Sequence, residues 1–375
     1  MKPDMIPINK PLIGEEEIQL VVDVLKSGFL TSRGPSGSMV GKFEEEFARY
    51  VGARHAVAAN SGTAALHMAL LAAGVGPGDE VLIPSFTFVA TAEAVVLSGA
   101  KPVFVDIEPE TYCMDPQLLE KMITDRAKAV IPVDLYGLPA DLKPIFEVAH
   151  EHGLVVVEDA AQAHGAEYFG CRIGSVSDLT CFSFYASKNM TTGEGGMVTT
   201  DVDEYAEKLR LIRSHGERGD YNSVMLGHNY RMTEISAAIG IAQLRKLPKF
   251  LEVRRGNAES LTAMIRDLNG VKVPFEPGGR RHSWYLYTVR LLNADSKVRD
   301  AVVAGLRRRG VGATVYYPTP IHLMPYYRRF ATSRLPETEK ASEQVLSLPV
   351  HPGVGAEQVR YIAEAFTQAL EDVGF

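Results

Sequence analysis

Residues 154–166 read LVVVEDAAQAHGA, and this stretch decides the fold class. Its first four residues are apolar on both faces of a strand, which is typical of a strand that helices cover on both sides. Asp159 then stands at the carboxyl end of a central strand, the edge at which α/β sheets bind their ligands. The alternative interpretation is that Asp159 caps a helix formed by the AAQAHG segment.

Similar short apolar runs recur on both sides of this strand, with helical patterns between them. The runs are HAVAA (55–59), EVLIP (80–84), KPVFVDI (101–107), AVIPV (129–133) and LTCFSF (179–184). A short amphipathic helix, GEEEIQLVVDVLKSG (14–28), precedes them and ends at Gly28. The alternation predicts a doubly wound α/β domain over residues 1–248, in which helices sandwich a mostly parallel sheet.

The pattern changes in the last third of the chain. The stretch WYLYTVRL (284–291) predicts a strand with alternating faces, VRDAVVAGLRRRG (298–310) a helix, and VGATVYYP (311–318) a further strand. The last helix is expected in EQVRYIAEAFTQALEDVG (357–374). No low-complexity linker precedes these elements, so we predict a smaller α/β domain, residues 249–375, that packs closely on the large one.

The composition argues against large nucleic-acid or membrane surfaces. A net charge of -7, from 39 basic and 46 acidic residues, disfavours non-specific binding to nucleic acid. The amino terminus lacks the basic start and apolar core of a secretion signal, and no apolar run is long enough to span a bilayer. Cys113, Cys171 and Cys181 include no CxxC pair, so we expect reduced packing residues rather than disulfides. A cytoplasmic location follows as an expectation.

Lys188 is the residue that we expect to form a covalent bond. It follows the strand LTCFSFY and precedes TTGEGGM, whose glycines bring the backbone close to the amine. Such a crowded, partly dry position lowers the pKa of a lysine, so that an uncharged amine is available to form an imine with an aldehyde. The alternative is a solvated loop lysine, which is the usual environment of this residue.

A phosphate site is predicted where Ser61, Gly62 and Thr63 stand directly before a helix that begins at Ala64. Helix N-termini offer unpaired amides and the positive end of a dipole. Plain capping by Ser61 or Thr63 explains these residues about as well. A phosphate anchor, a strand-end acid and an imine-forming lysine are together what pyridoxal 5'-phosphate (PLP) requires, and Asp159 would keep its ring nitrogen protonated.

Three longer strings, DAAQAHGA, CFSFYASKNMTTGEGGMVTT and LGHNYRMTEISAAIGIAQL, resemble the DegT/DnrJ/EryC1/StrS family of sugar aminotransferases. NSGTAALHMAL, GPGDEVLIPSFTFVATA and YYPTPIHLMPYY also follow the family's order, so the resemblance covers nearly the whole chain. It implies the fold-type I architecture of PLP-dependent aminotransferases and a homodimer whose active sites lie at the subunit boundary.

The resemblance also implies a role for each residue that matches a family motif. Lys188 would be the Schiff-base residue and the general acid and base of the proton shift, and Asp159 would pair with the pyridine nitrogen. Gln162 would contact the phenolic oxygen side of the cofactor. The phosphate would be served by Gly62, Thr63 and Ser183.

Two further matches concern the cofactor ring and the subunit boundary. Phe88 aligns with the aromatic residue that stacks on the ring, although a core position is the alternative and Phe86 is the competing candidate. Asn229 matches the asparagine that reaches the phosphate of the neighbouring subunit's cofactor; taken alone, it would be a turn residue. His164 and His322 lack partners at metal-ligand spacing, so we predict hydrogen-bonded structural histidines and no metal site.

A lysine at position 188 favours transamination, because relatives that dehydrate their substrate have histidine there. The resemblance implies that glutamate donates the amino group and that a nucleotide-linked keto sugar accepts it. TTGEGGM and the later SHG favour a 4-keto-6-deoxy sugar, while a 3-keto sugar or a cyclitol stays open, as does a non-catalytic PLP-binding sensor or scaffold. Tyr185 and Asp134 depart from many relatives, which have histidine at these positions, so substrate contacts there are not carried over.

Overall fold

A seven-stranded sheet forms the centre of the larger part of the protein in the computed structural model, which describes residues 5–31, 38–219 and 221–375. Over all sheets of the described residues, the strands are β1 (His55–Ala59), β2 (Glu80–Pro84), β3 (Lys101–Val105), β4 (Ala127–Val130), β5 (Val155–Asp159), β6 (Glu167–Tyr168), β7 (Cys171–Arg172), β8 (Leu179–Ser183), β9 (Gly196–Thr200), β10 (Val271–Lys272), β11 (Arg280–Arg281), β12 (Tyr287–Leu291) and β13 (Val345–Leu348). The helices are α1 (Glu15–Ser27), α2 (Met39–Val51), α3 (Gly62–Ala72), α4 (Ala90–Leu97), α5 (Pro116–Leu119), α6 (Leu142–Glu151), α7 (Asp203–Arg213), α8 (Glu234–Ile265), α9 (Ser296–Arg308), α10 (Pro336–Gln344) and α11 (Ala356–Glu371). Four 3-10 segments are Glu120–Met122, Leu135–Gly137, Ile321–Leu323 and Arg328–Phe330.

The strand order of this sheet is β1-β9-β8-β5-β4-β2-β3. β2 pairs in parallel with β3 and β4, β4 with β5, and β5 with β8, whereas β9 runs antiparallel to both of its neighbours. All six predicted apolar runs belong to this sheet, which confirms the α/β class; β9 is a strand that the sequence analysis did not identify. Because β8 and β9 are antiparallel neighbours, their connection, residues 184–195, stays at the carboxyl edge of the sheet.

The sheet is covered on both faces, as its apolar runs predict. Leu82 of β2 packs in one apolar cluster, together with Phe47 of α2, while Val81 and Ile83 pack in a second cluster with Leu70 of α3. Successive residues of a strand point to opposite faces, so both faces must bury apolar side chains. This burial of both faces is the physical reason that the runs are almost uniformly apolar.

The predicted N-terminal helix is present as α1, and Gly28 ends it in the left-handed conformation with φ 74°. Val24 of this helix is buried and Leu20 packs against the core, but the apolar residues Ile18 and Leu25 are 50% and 54% exposed. Glu17 is buried as well, and it pairs with Lys246 of α8 at 2.6 Å between Nζ and Oε2. This apolar stripe of α1, with Ile18 and Leu25, is therefore exposed to solvent in the single chain.

A second, three-stranded sheet lies in the C-terminal part, with the order β10-β12-β13. The alternating pattern predicted for residues 284–291 is wrong, because the strand covers only Tyr287–Leu291 and all five of its residues are buried. β12 is the middle strand, and side chains of α8, α9 and α11 belong to the same apolar cluster as those of β12. The helices predicted at residues 298–310 and 357–374 are present as α9 and α11.

The strand predicted at residues 311–318 is also wrong. Only Val311 and Thr314 form isolated bridges, to Ile6 and Ser347 respectively. Tyr316 and Tyr317 form no strand pairing, and their side chains line a cavity that is described below.

Helix α8 links the two parts. Its first half contributes Ile241 and Leu247 to the cluster of the large sheet, and its last turns contribute Leu261 and Ile265 to the C-terminal cluster. The boundary that we predict after residue 248 falls inside this continuous helix. The division into domains 1–248 and 249–375 stays a prediction.

Two expectations from composition can be compared with the structure. Cys113 and Cys181 are buried, but Cys171 is exposed, so the prediction that all three are packing residues is wrong for Cys171. Among the described residues, no helix has both the length and the apolar character needed to cross a membrane.

Candidate active site

The carboxyl ends of β5 and β8 bring Asp159 and Lys188 to the same edge of the sheet. Asp159 is the last residue of β5 and pairs with Cys181 of β8. Lys188 lies in the connection that follows β8. Parallel neighbours end at the same edge, so the two side chains meet although 28 residues separate them in the printed sequence.

Asp159 is buried and hydrogen-bonded. The Thr91 hydroxyl donates to its Oδ2 at 2.7 Å, and the Ala161 amide donates to its Oδ1 at 3.2 Å. Burial raises the pKa of Asp159, while the hydrogen bonds and the charge of Lys188 oppose that rise. No helix follows, so the interpretation of Asp159 as a helix cap is wrong.

Lys188 is half-buried beside an aromatic ring. Its Nζ lies 4.8 Å from the centroid of the Tyr285 ring, and the Tyr285 hydroxyl shares a hydrogen bond of 2.9 Å with the Ser187 hydroxyl. Burial lowers the pKa of Lys188 from 10.5 to about 8, against the opposing charge of Asp159. The uncharged fraction of the amine near neutral pH is therefore far larger than for an ordinary lysine, and the alternative of a solvated loop lysine is wrong.

The N-terminus of α3 forms a close cradle against β8. Ser61 caps the helix by accepting a hydrogen bond from the Ala64 amide at 3.1 Å, so the capping interpretation is correct for Ser61. The amides of Gly62 and Thr63 donate to none of the described residues. A Cβ on Gly62 would come within 2.7 Å of the Ser183 Cβ, so only glycine fits here without a shift.

Phe88 and Phe86 have different environments. Phe86 is fully buried in the core, whereas Phe88 is 54% exposed and faces the same space as Lys188. Of the two competing phenylalanines, only Phe88 is available to a ligand.

Gln162 is held from two sides: its Oε1 accepts from the Tyr136 amide at 2.7 Å, and its Nε2 donates to the Tyr317 hydroxyl at 3.1 Å.

These candidates line one cavity of about 920 Å³ at the carboxyl edge of the sheet. Seven of the predicted residues line it: Gly62, Thr63, Phe88, Asp159, Gln162, Ser183 and Lys188. Sequence reasoning did not assign a site role to several others, namely Ser187, Glu194, Tyr285, Tyr316 and Tyr317. The tyrosines come from the C-terminal part, and no local pattern marks them as site residues.

Asn229 is the one predicted site residue that does not line the cavity. Its side chain is exposed, and its carbonyl oxygen accepts from the Asn60 Nδ2 at 3.4 Å. Asn60 does line the cavity. Asn229 therefore lies near the rim of its own chain's site without reaching into it.

The histidines that we considered have structural environments. The Ser85 hydroxyl and the His322 Nδ1 are 2.7 Å apart, which confirms a hydrogen-bonded structural role for His322. His164 is buried against the rings of Phe182 and Phe184, and burial lowers its pKa to about 3. Neither of its ring nitrogens has a hydrogen-bond partner among the described residues, so the prediction of a hydrogen-bonded histidine is wrong for His164. Within the described part of the chain, no cluster of three or more histidine, cysteine, aspartate or glutamate residues is placed to hold a metal ion.

The cavity's residues fit PLP in kind and in position. An amine with a lowered pKa can bond an aldehyde, a buried acid can hold a ring proton, and unpaired helix amides can bind a phosphate. The glycine cradle between α3 and β8 gives the phosphate group room that a side chain would fill. The fold and this set of residues together are those of an α/β enzyme whose site can accommodate an aldehyde-bearing phosphate cofactor.

Comparison with known proteins supports this class. A model of the DegT/DnrJ/EryC1/StrS aminotransferase family matches residues 11–367, so the chain belongs to that family. Spr1654 of Streptococcus pneumoniae, assigned as a sugar aminotransferase and solved in its PLP form, superposes with a TM-score of 0.93 at 32% identity, over 98% of this chain and 99% of that chain. The chain is thus a PLP-dependent sugar aminotransferase with the fold of that class.

Relatives that align over most of the chain are named for different functions. A pleiotropic regulatory protein of Geobacillus stearothermophilus is 42% identical over 96% of this chain and 98% of its own length. GDP-perosamine synthase of Caulobacter vibrioides is 41% identical over 97% and 98%. UDP-N-acetyl-3-dehydro-alpha-D-glucosamine 3-aminotransferase of Acidithiobacillus ferrooxidans is 42% identical over 87% of each chain. Their sequence identities to this chain are nearly equal, so sequence identity alone does not indicate which sugar this chain accepts.

Proposed function

We propose that the enzyme transfers an amino group from glutamate to a nucleotide-linked 4-keto-6-deoxy sugar, with PLP bound at Lys188. The observation on which the proposal depends is the meeting of Lys188 and Asp159 in one cavity, with the pKa of the lysine lowered to about 8. PLP, when bound, supplies an aldehyde and an electron-withdrawing ring. The remaining chemistry is assigned to side chains of this chain.

In this proposal Lys188 and Asp159 act on different protons. With PLP bound, the uncharged Nζ of Lys188 would hold the cofactor at its aldehyde carbon, and as a free amine it would take up a proton from the substrate carbon and return it. Asp159, ionised, keeps a proton on the ring nitrogen by charge pairing. Thr91 supports that role because its hydrogen bond favours the ionised carboxylate.

The other predicted residues position the cofactor. The free amides of Gly62 and Thr63, with the Ser183 hydroxyl, are proposed to bind the phosphate. Phe88 is proposed to stack on one face of the ring and exclude water, since its side chain is open to the cavity. Gln162, fixed by its two hydrogen bonds, is proposed to contact the phenolic oxygen side.

The substrate proposal is supported by the cavity and by the sequence. A space of about 920 Å³ lies near the upper end of ordinary ligand pockets, large enough for a cofactor and a sugar together. TTGEGGM contributes Glu194 to the lining, and the chain aligns with GDP-perosamine synthase over 97% of its length. The alignment with a 3-aminotransferase keeps a 3-keto sugar as the second candidate.

We further propose a homodimer in which Asn229 serves the partner's site. Asn229 lies on an exposed segment whose side chains include Val224 and Leu226, 48% and 83% exposed in the single chain. The apolar stripe of α1, with Ile18 and Leu25, is exposed as well. Exposed apolar surface of this kind is typical of a subunit interface.

The position of the amine in the product tests the substrate. The purified enzyme is incubated with PLP, glutamate and nucleotide-linked 4-keto and 3-keto sugars, and the product is examined by NMR. Nitrogen at C4, with loss of glutamate, supports the proposal; nitrogen at C3 or on a cyclitol assigns the enzyme to the second candidates. Bound PLP without turnover of any keto sugar supports a sensor or scaffold instead, and the Lys188→Ala variant is the control for non-enzymatic amination.

A further inference from the structure

Two carboxyl groups are buried directly behind Asp159. Asp134, at the end of the segment that follows β4, and Glu158, the residue before Asp159, are both 0% exposed. Their side chains lie within hydrogen-bonding reach of each other. The Asp134 amide also donates to the Asp159 carbonyl oxygen at 3.1 Å. This backbone hydrogen bond links the segment after β4 to the end of β5.

Each carboxyl group has a donor on one oxygen only. The Ala140 amide donates to Asp134 Oδ1 at 2.9 Å, and the Thr180 hydroxyl donates to Glu158 Oε2 at 2.9 Å. Asp134 Oδ2 and Glu158 Oε1 are buried and accept from none of the described residues. Neither group forms a salt bridge within the described part of the chain. Two buried carboxylates without a cation repel each other, and burial disfavours both charges.

We propose that Asp134 and Glu158 share one proton between Asp134 Oδ2 and Glu158 Oε1, and that this proton makes the pair a positioning element for Asp159. A single proton supplies the missing hydrogen bond to both oxygens at once. It also removes one of three negative charges that would otherwise lie at the ends of β4 and β5. Of the two charges that remain, one is spread over the Asp134–Glu158 pair and the other can reside on Asp159, where the proposed function needs it; this role in catalysis rests on that function, whereas the proton sharing does not.

The electrostatic surroundings agree with this assignment. Burial and the neighbouring carboxylate raise the pKa of Asp134, and burial raises that of Glu158. The other titratable groups that face the pair are Asp159, Cys113 and Cys181, and burial raises the pKa of both thiols, so they stay neutral. Ser177 is the one further hydroxyl that faces Glu158.

Amide substitutions provide the matched variants. Asp134→Asn and Glu158→Gln each replace the shared proton by an amide N–H and keep the same net charge as the protonated pair. Asp134→Leu instead leaves Glu158 buried without a donor on Oε1. Ser177→Ala tests the rival explanation that the serine hydroxyl satisfies Glu158, because it leaves the proposed proton in place.

Infrared difference spectroscopy on the full-length protein without cofactor gives the direct readout. At about pH 8 the wild type and Ser177→Ala should show a carboxylic-acid C=O band that shifts in D₂O, and both amide variants should lack it. A band that persists in Asp134→Asn and Glu158→Gln, or that is absent from the wild type, overturns the proposal. Binding of PLP is not involved, so failure of the proposed function leaves this result interpretable.

Stability against pH is the second readout, and it works even where one variant folds poorly. The folded pair keeps its proton above the ordinary carboxyl pKa of about 4, where the unfolded chain has lost it, so wild-type stability should fall as pH rises through that window. Asp134→Asn lacks this titration, and its Tm relative to the wild type should rise from pH 5 to pH 8 by about 5 °C, because one proton is retained over the whole window. A Tm difference that is constant with pH in both amide variants contradicts the shared proton.

Discussion

The Nζ atom of Lys188 lies 4.8 Å from the centroid of the Tyr285 ring, although one residue belongs to the β8–β9 connection and the other to the C-terminal part. A cation over an aromatic face is attracted by the ring's quadrupole. The Ser187 hydroxyl fixes the same ring by its hydrogen bond to the Tyr285 hydroxyl. The lysine is therefore positioned by a residue of the C-terminal part and by its own sequence neighbour.

Replacing Tyr285 separates the ring from the hydroxyl. Tyr285→Leu should lower kcat by about tenfold, because the ring that packs beside the Lys188 Nζ and orients it is removed, and a loss of about 1.4 kcal/mol of positioning energy corresponds to about tenfold in rate. Tyr285→Phe retains the ring and should lose less than about threefold, since only one hydrogen bond is removed. Steady-state kinetics check both variants. Equal losses in the two would show that the ring does not position Lys188.

The amine of Lys188 should capture PLP faster as pH rises. Its pKa is lowered to about 8, and only the uncharged amine attacks an aldehyde, so the rate for the cofactor-free protein should increase with pH and level off above about 8. Stopped-flow absorbance measures this rate, and borohydride reduction followed by peptide mapping locates the attachment. Lys188→Ala is the control. It should still bind PLP weakly through the phosphate cradle, without a bond that borohydride can reduce, and its rate of amine transfer should fall by at least about a thousandfold. A rate that levels off only near the ordinary lysine pKa would contradict the assignment.

Thr91 should set the acidic limit of activity through Asp159. The Thr91 hydrogen bond lowers the pKa of Asp159, and burial raises it. Thr91→Val removes the lowering contribution, so Asp159 should become ionised only at higher pH and the acidic limb of the kcat/KM profile should move upward. Thr91→Ser, which keeps a hydroxyl, should leave that limb near the wild-type position. An unchanged profile in Thr91→Val would show that the acidic limb does not report the ionisation of Asp159.

Gly62 should tolerate a side chain only if Ser183 gives way. Gly62→Ala places a Cβ 2.7 Å from the Ser183 Cβ, an overlap that we expect to cost about 1–3 kcal/mol and to weaken PLP binding by at least tenfold. The double variant Gly62→Ala with Ser183→Gly removes the clash and should recover part of the affinity. Fluorescence titration with PLP and thermal unfolding check this. A single variant that binds PLP normally would show that α3 does not approach the phosphate.

Mixed dimers test the proposed role of Asn229. Lys188→Ala and Asn229→Ala should each be inactive or strongly impaired alone, but the mixed dimer has one site with both residues intact if Asn229 serves the partner. Random mixing of equal amounts should restore about a quarter of wild-type activity, since about half of the dimers are mixed and each has one complete site. Activity is measured after unfolding and refolding together, and light scattering gives the mass. No recovery in a verified dimer would place Asn229 in its own chain's site or outside any site.

The sequence by itself determined the sheet and its edge. The apolar runs around LVVVED predict strands buried on both faces, and the structure has them in one sheet with Asp159 at a carboxyl end. The local order of strand, lysine and glycines indicated Lys188, because a residue after a parallel strand is restricted to that edge. Ser61, Gly62 and Thr63 were equally visible, since helix starts have a local sequence signature.

Only the tertiary structure decided which side chains complete the cavity. Tyr285, Tyr316 and Tyr317 come from segments that locally indicate strands, and the strand prediction for residues 311–318 fails because tertiary packing, not local periodicity, places those rings in the cavity. The choice of Phe88 over Phe86 likewise depends on which ring the core buries. The buried meeting of Asp134 with Glu158 joins residues 24 positions apart and is created by the pairing of β4 with β5. Local sequence fixes the direction of a strand, whereas the neighbours of its end depend on how distant strands pair and pack.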